Sequence, residues 1–247
     1  MKIAVISDIH ANLEALEAVL AQIQADGCEE IYCLGDVVGY GPNPNECCAL
    51  CREREIPTTL GNHDEAAVVD DPVLEPRMSR SAAESIRWTR RVLSPANQHW
   101  LAALPLTIDL PRANAILCHA NLHNPQGWGY IQTRYEAHLT FQRLAQPLCF
   151  HGHSHSPGVI SRIDATGEMR ATSPESVQVS EGERYLMNCG SIGQPRDGDH
   201  RSCYVVYDTA MERIVFRRVP YPKEITQSKI IAAGLPAESA FRLSSGM

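Results

Sequence analysis

The chain of 247 residues contains no apolar stretch approaching the ~20 residues that a membrane-spanning helix needs. Its opening, MKIAVISDIH, does not read as a signal peptide, because the apolar run is short and breaks at Asp8. A cytoplasmic location without membrane contact is the expectation. Basic excess is also missing. The net charge of -7 opposes binding to duplex nucleic acid. It does not oppose a small phosphate compound, since bound metal ions reverse the local sign. Neither an internal repeat nor a disordered linker is visible, so residues 1–247 are expected to form a single domain. At this length roughly 70–75% of the unfolded chain's surface can be buried, and no staple is required. Cysteine is not scarce: there are 9, which without an export signal should be reduced. Cys28, Cys33, Cys118, Cys149 and Cys203 read as small buried hydrophobes. Cys47, Cys48 and Cys51 contain a C-x-x-C, but the second pair of a zinc ribbon is absent. A redox role lacks its usual context, and packing is the expectation for them.

The first two-thirds alternate strand and helix. Lys2–Ser7 reads as a buried strand. Asn12 caps a helix with Leu13, Leu16, Val19, Leu20 and Ile23 at helical spacing, and Gly27 ends it. Ile31–Leu34 is the next strand. After a turn from Gly39 to Pro44, a short helix starts near Asn45. Ile56–Leu60 is a third strand. Ser79–Leu93 and Pro95–Leu104 read as helices separated by Ser94, a cap. Leu106–Leu110 and Ala115–Cys118 form a hairpin, and Tyr135–Leu144 is helical. Strands follow at Pro147–Phe150, Gly158–Ile163, Ser176–Val179, Tyr185–Asn188, Ser202–Asp208 and Arg213–Val219. Their short spacing predicts a meander forming a second sheet. Lys223–Ala233 and Glu238–Leu243 close the chain as helices. The expected class is α/β, with two packed sheets and helices outside.

Five of the strand-like runs end in residues that bind hard metal ions or move protons. The tips are Asp8 and His10; Asp36; Asn62, His63 and Asp64; His119; and His151, His153 and His155. Turn and capping chemistry alone would have to explain all five at once. Open α/β sheets place ligands in the crevice outside the carboxyl ends of their strands. Carboxylate and amide oxygens with imidazole suit a borderline divalent ion such as Mn, Fe, Zn, Ni or Co. The central tips lack cysteine, which argues against a closed structural zinc site. Asp8, His10, Asp36, Asn62, His119, His153 and His155 are enough for two open ions sharing Asp36. Two ions roughly 3.5–4 Å apart clamp the attacking and leaving oxygens of an in-line displacement at phosphorus, and their bridging water serves as nucleophile. His63 follows a ligand directly and should donate a proton to the leaving oxygen, with Asp64 holding its tautomer. In an extended segment, Asp8 and His10 would leave on one face, as would His153 and His155. The glycines beside Asp36 and Asn62 would let backbone approach an ion closely.

The ordered set D-x-H (Asp8, His10), G-D (Gly35, Asp36), G-N-H-D (Gly61 to Asp64), a lone His119 and G-H-x-H (Gly152 to His155) resembles the calcineurin-like metallophosphoesterases. The resemblance covers residues 1–155 by motif. It extends to N-C-G-S-I-G-Q-P-R-D-G (Asn188–Gly198), which is similar to a closing loop of bacterial members. It implies a β-sandwich of two mixed sheets flanked by helices, the metallo-dependent phosphatase-like fold. It also implies a dinuclear centre, with one ion on Asp8, His10, Asp36 and His155, the other on Asp36, Asn62, His119 and His153, and His63 as catalytic acid. Protein Ser/Thr phosphatases of the superfamily carry G-D-x-V-D-R-G. Here Gly39 and Tyr40 replace its Asp and Arg, which favours the prokaryotic phosphodiesterase and diadenosine tetraphosphatase-related branch. Ala120 stands where a glycine often follows the lone His.

The expected reaction is hydrolysis of a small phosphate ester, a phosphodiester or phosphoanhydride of nucleotide type. A phosphomonoesterase or Ser/Thr protein phosphatase is the rival among enzymes. A metal-bearing regulatory protein is the rival outside them. Arg196 and Tyr40 are candidate substrate contacts. Arg196 and Asp197 equally fit a solvated turn. Trp128 and Tyr130 fit plain packing or stacking on a flat group. Asn12 caps a helix and could support the ligands. His151 either supports the ligands or merely stands beside them. His99, His123, His138 and His200 read as ordinary histidines. Oligomeric state is left open.

Overall fold

The computed structural model describes residues 1–69, 78–172 and 175–247. Strand β1 (Lys2–Ile6) is buried on both faces, which explains its unbroken apolar run. Because side chains alternate along a strand, Ile3 and Val5 face one apolar cluster while Ala4 and Ile6 face another. Helix α1 (Leu13–Ala25) begins at Asn12, whose side chain accepts from Ala15 N. Its Leu16, Val19, Leu20 and Ile23 pack onto Ala4 and Ile6. There follow β2 (Glu30–Cys33), α2 (Pro44–Glu53), α3 (Asn62–Val68), α4 (Arg80–Val92) and α5 (Pro95–Ala102). The hairpin β3 (Thr107–Leu110) and β4 (Ala115–Cys118) turns through a 3-10 segment at Pro111–Ala113. Next come α6 (Arg134–Arg143), β5 (Leu148–His151), β6 (Gly158–Ile163), β7 (Met169–Thr172), β8 (Ser176–Gln178) and β9 (Glu183–Asn188). The chain ends with β10 (Ser202–Asp208), β11 (Arg213–Val219), α7 (Lys223–Ala232) and α8 (Ala237–Ser245).

Two mixed sheets result, ordered β2-β1-β10-β11-β8 and β3-β4-β5-β9-β6-β7. Their facing surfaces enclose Ile3, Val5, Leu117, Phe150, Met187 and Val205. Helix α1 covers the outer face of the first sheet, and Phe141 and Leu144 at the end of α6 cover Cys118, Cys149 and Leu186 of the second. This is the α/β sandwich that the sequence predicts. β1 runs parallel to β2, and β4, β5 and β9 are mutually parallel. Within each sheet, the carboxyl ends that carry the motifs therefore open toward one edge.

Two expectations need correction, and two elements are additional. Ile56–Leu60 is not a strand. It makes a single bridge, Cys33 to Thr58, and Pro57 lacks the N–H that a longer ladder requires. The late strands do not form one meander. β8, β10 and β11 join the first sheet, and β5, β6, β7 and β9 the second. The cause is visible between β5 and β6, where residues 152–157 turn aside into the motif loop and β9 fills the gap. Short spacing in sequence does not give adjacency in space. The strand β7 was not anticipated because it is partly exposed and poor in apolar residues. Helix α3 carries the G-N-H-D motif, for which the sequence pattern predicts no helix.

Among the cysteines, Cys33, Cys47, Cys48, Cys51, Cys118, Cys149 and Cys203 are buried free thiols. Cys28 is only half-buried. No helix among the described residues is long and apolar enough to cross a membrane.

Candidate metal centre

Five of the candidate ligands reach the site on strained backbone, not on extended chain. Asp8, His10, Asp36, His153 and His155 all have positive φ, between 49° and 68°. This conformation costs non-glycine residues roughly 1–2 kcal/mol each. Such strain concentrates at functional sites. It corrects the reading of D-x-H and H-x-H as extended segments. The loop after β1 is pinned against the loop after β2 by Asp8 N to Gly35 O at 3.0 Å and His10 N to Asp36 O at 2.9 Å. The glycines also act differently from expectation. A Cβ on Gly35 would lie 2.6 Å from Gly61 N, and one on Gly61 would lie 2.2 Å from Asp36 Oδ1. They let two loops press together.

Each central carboxylate divides its work. Asp8 Oδ2 accepts from Ser7 Oγ at 2.6 Å and His153 N at 3.0 Å. Asp36 Oδ1 accepts from His63 N at 2.8 Å. The other oxygens, Asp8 Oδ1 and Asp36 Oδ2, are buried without a hydrogen-bond partner among the described residues. The four imidazoles complete the pattern. His10 Nδ1, His119 Nδ1 and His155 Nδ1 lie 3.1, 2.8 and 2.6 Å from the carbonyl oxygens of Val38, Leu34 and Gln194. His153 Nε2 lies 2.9 Å from Trp128 O. A carbonyl only accepts, so each of these ring nitrogens carries the proton, and the remaining nitrogen presents a lone pair inward. An outward N–H held by a carbonyl is the usual support of a metal-ligating histidine.

The inward atoms form two groups, Asp8, His10, Asp36 and His155, and Asp36, His119 and His153. His10 Nε2 stands 3.0 Å from His155 Nε2, and His119 Nε2 stands 3.1 Å from His153 Nδ1. Asn62 Oδ1 is 3.2 Å from His119 Nε2 and joins the second group. Asp36 Oδ2 lies 3.6 Å from His10 Nε2 and 3.4 Å from His119 Nε2, between the two. Facing lone pairs and unpartnered carboxylate oxygens repel unless a cation lies among them. The donor set therefore fits two divalent ions sharing Asp36.

The titration pattern agrees with a site that demands positive charge. Burial favours the neutral acid at Asp8, yet His155 beside it holds the carboxyl below its usual range. At Asp36 burial acts in the same sense, and His119, His63 and His10 together hold the carboxyl well below its usual range. Burial disfavours charge on His119 too, but Asp36 pulls its proton affinity up to about 10. His153 is pushed down to about 3 by burial, with charge on His119 adding to it.

His63 is the second residue of α3, and its ring packs against Gly39, where a Cβ would lie 2.4 Å from Nδ1. The ring centroid is 4.6 Å from that of Tyr40. The expectation that Asp64 holds the His63 tautomer is not met. Asp64 accepts from Val38 N at 3.1 Å and Gly61 N at 3.2 Å, while His63 Nδ1 has no partner among the described residues. Asp64 instead ties the loops together, and burial followed by the charge of Asp36 raises it to about 8. Burial pushes His63 down to about 4.

A cleft of ≈ 390 Å³ opens over these groups, lined by Asn62, His63, His153, Tyr40, Trp128, Tyr130 and Arg196 among others. Arg196 reaches over the Tyr40 ring, with its guanidinium carbon 5.7 Å from the centroid. Asp197 turns away and pairs with Arg218. Tyr130 stacks on His153 at 4.1 Å. Asn12 caps α1 and also donates to Gly193 O at 2.9 Å. His151 is buried beside the site but belongs to neither donor group. Sequence reasoning missed Ser7, although a polar residue at a buried strand's end is a visible signal. It also missed Glu65, which accepts from Trp128 Nε1 at 2.7 Å and Gln126 Nε2 at 3.0 Å and so fixes the loop that holds His153. Nothing in the sequence pairs Glu65 with a loop sixty residues away.

Residues 1–212 match the calcineurin-like phosphoesterase superfamily domain. The chain belongs to this family. Membership makes it a phosphoester hydrolase, of a family that uses divalent metals. It is 38% identical over 236 residues to uncharacterized protein MJ0912 of Methanocaldococcus jannaschii, covering 95% of this chain and 93% of that one. It resembles the crystal structure of a metallophosphoesterase from Sphaerobacter thermophilus, with TM-score 0.86, 38% identity, and coverage of 100% and 99% of the two chains. Hypothetical protein PH1004 from Pyrococcus horikoshii OT3 shares the fold at TM-score 0.79 and 19% identity, with coverage of 100% and 98%.

Proposed function

We propose that this phosphoesterase, as one domain over residues 1–247, hydrolyses small phosphodiesters or phosphoanhydrides of nucleotide type. The observation that carries the reading is the pair of inward-facing donor groups sharing Asp36 Oδ2 at the base of the cleft. Asp8, His10, Asp36 and His155 would hold one divalent ion, and Asp36, Asn62, His119 and His153 the other, with Mn or Fe suited to such mixed donors. Bound there, the ions would polarise the phosphoryl oxygens and acidify the water that serves as nucleophile.

This chain's own residues supply the rest. His63 lines the cleft beside Asn62, and its assigned role is to protonate the leaving oxygen. Its proton affinity is low in the protein alone, and the negative charge of an arriving phosphate raises it. Arg196 is well suited to hold a phosphoryl oxygen. Among the described residues its partners are Tyr40 Oη at 3.4 Å and Gln194 Oε1 at 3.1 Å, and its Nε is buried without one. Gly39 favours the small-substrate reading, because it leaves the cleft floor to His63 and Tyr40. Turnover of bis(p-nitrophenyl) phosphate against p-nitrophenyl phosphate, with Mn²⁺ present, tests this. Faster cleavage of the diester supports the assignment. Faster cleavage of the monoester replaces it with a phosphomonoesterase, and cleavage of neither with Mn, Co, Ni or Fe removes it.

A further inference from the structure

Residues 213–247 lie outside the matched segment, yet they reach the cleft. α7 and α8 form a hairpin joined through Ile230, Leu235, Ala240 and Leu243. The hairpin is fastened to the rim of the metal centre at both ends. Thr226 Oγ1 lies 2.8 Å from Glu14 Oε2 and 3.0 Å from Asn12 Oδ1, and the Lys229 ammonium pairs with Glu14. At the far end, Gly198 N donates to Gly246 O at 2.9 Å. A Cβ on Gly246 would lie 2.8 Å from Asp199 backbone, so helix end and loop are pressed together. That loop carries Arg196. One turn before the anchor, α8 places Arg242 in the lining of the same cleft.

Two guanidiniums thus share one cavity. Among the described residues, Arg196 has no carboxylate partner. Arg242 has one, Glu238 on its own helix at 2.7 Å. Glu238 is 56% exposed, and an ion pair of that kind is worth little in water. A guanidinium exchanges it readily for a phosphate, which it can grip through two N–H groups. The cleft of ≈ 390 Å³ also exceeds what one phosphoryl group fills, and falls in the range of sites for nucleotide-sized ligands.

We propose that Arg242, with Arg196, binds a second phosphate of the substrate, beyond the one that is cleaved. The inference rests on the proposed hydrolase and narrows its substrates to compounds carrying at least two phosphates. The C-terminal hairpin is then part of the substrate site.

The test compares wild type, Arg242→Gln and Glu238→Gln, each confirmed folded by its melting temperature, on three probes. Bis(p-nitrophenyl) phosphate has one phosphate. The p-nitrophenyl ester of thymidine 5′-phosphate bearing a 3′-phosphate, and a symmetric dinucleoside tetraphosphate, have more. Arg242→Gln is expected to lower kcat/KM on at least one of the latter by roughly 10-fold or more, the loss of a charge-assisted hydrogen bond. Its loss on bis(p-nitrophenyl) phosphate should be at least about fivefold smaller. Glu238→Gln, which frees the guanidinium, should raise kcat/KM on the same probe. Equal loss on all three probes, or loss on none, overturns the proposal. Wild type that cleaves bis(p-nitrophenyl) phosphate but neither other probe overturns it alone. Wild type that cleaves nothing overturns the hydrolase reading and this one together.

Discussion

Replacing Gly61 by alanine should damage the shared ligand without touching any donor atom. Gly61 has φ −102° and ψ 166°, a conformation open to every residue, so its backbone is not the obstacle. The obstacle is space. The new Cβ would sit 2.2 Å from Asp36 Oδ1 and 2.3 Å from Asp36 N, where ordinary contact begins at 3.4 Å. Asp36 must move by about 1 Å, and it loses the bond from His63 N at 2.8 Å. Overpacking costs about 1–3 kcal/mol. Loss of a hydrogen bond to a charged group adds about 1.5–3 kcal/mol. A combined loss of roughly 2.5–6 kcal/mol lowers the melting temperature of a chain this size by roughly 5–24 °C. Gly158→Ala is the control, since a Cβ there meets nothing within 4 Å. Calorimetry in EDTA should separate the two variants. Metal analysis should then show Gly61→Ala depleted, because both donor groups depend on Asp36 Oδ2. A Gly61→Ala protein that melts with Gly158→Ala and carries full metal would refute the packing argument.

Three further outcomes are expected. His63→Ala should keep its metal and lose roughly 10²–10⁴-fold in rate on esters with poor leaving groups. Its loss on p-nitrophenyl esters should be far smaller, and a uniform loss would remove His63 from the proton-donor role. Glu65→Ala should free the loop of Trp128 and weaken one of two metal-binding steps in calorimetric titration, because Trp128 O holds only His153. Weakening of both steps alike, or of neither, would count against that chain of contacts. Asp26 accepts from Tyr204 Oη at 2.6 Å and Arg217 Nε at 3.0 Å. Burial opposes its charge, but the Tyr204 bond and its other partners hold it below the usual carboxylate range. A depressed folded-state value means the stabilisation is present above the unfolded value of about 3.9 and is lost as pH falls below it. The gap between wild type and Asp26→Asn in urea should therefore shrink from about pH 6 to about pH 3; a gap that widens toward acid would reverse the sign.

The donor residues were legible because they stand at strand ends and in fixed order. Periodicity marked β1, α1, β6, β10 and β11 closely for the same reason: each has an apolar face to bury. Their assembly into sheets was not legible. β9 lies between β5 and β6 because the loop joining those two is drawn into the metal centre, a tertiary demand that spacing does not record. The strand assigned at Ile56–Leu60 failed on Pro57, which breaks the ladder after one bridge. The role given to Asp64 failed because neighbours in sequence need not touch. At the start of a helix its carboxylate turns back to the free N–H of Gly61, and the imidazole of His63 points elsewhere. Arg242 carried no motif at all. Only the docking of α8 against the Arg196 loop brings it to the cleft.

Counting ions per chain tests the central claim most directly. Protein stripped with a chelator, reloaded with Mn²⁺ and freed of excess should bind two ions in the wild type, one in His153→Ala and none tightly in Asp36→Ala, as donor groups joined at Asp36 require. Wild type saturating at one ion, or Asp36→Ala retaining two, would contradict the shared-carboxylate centre.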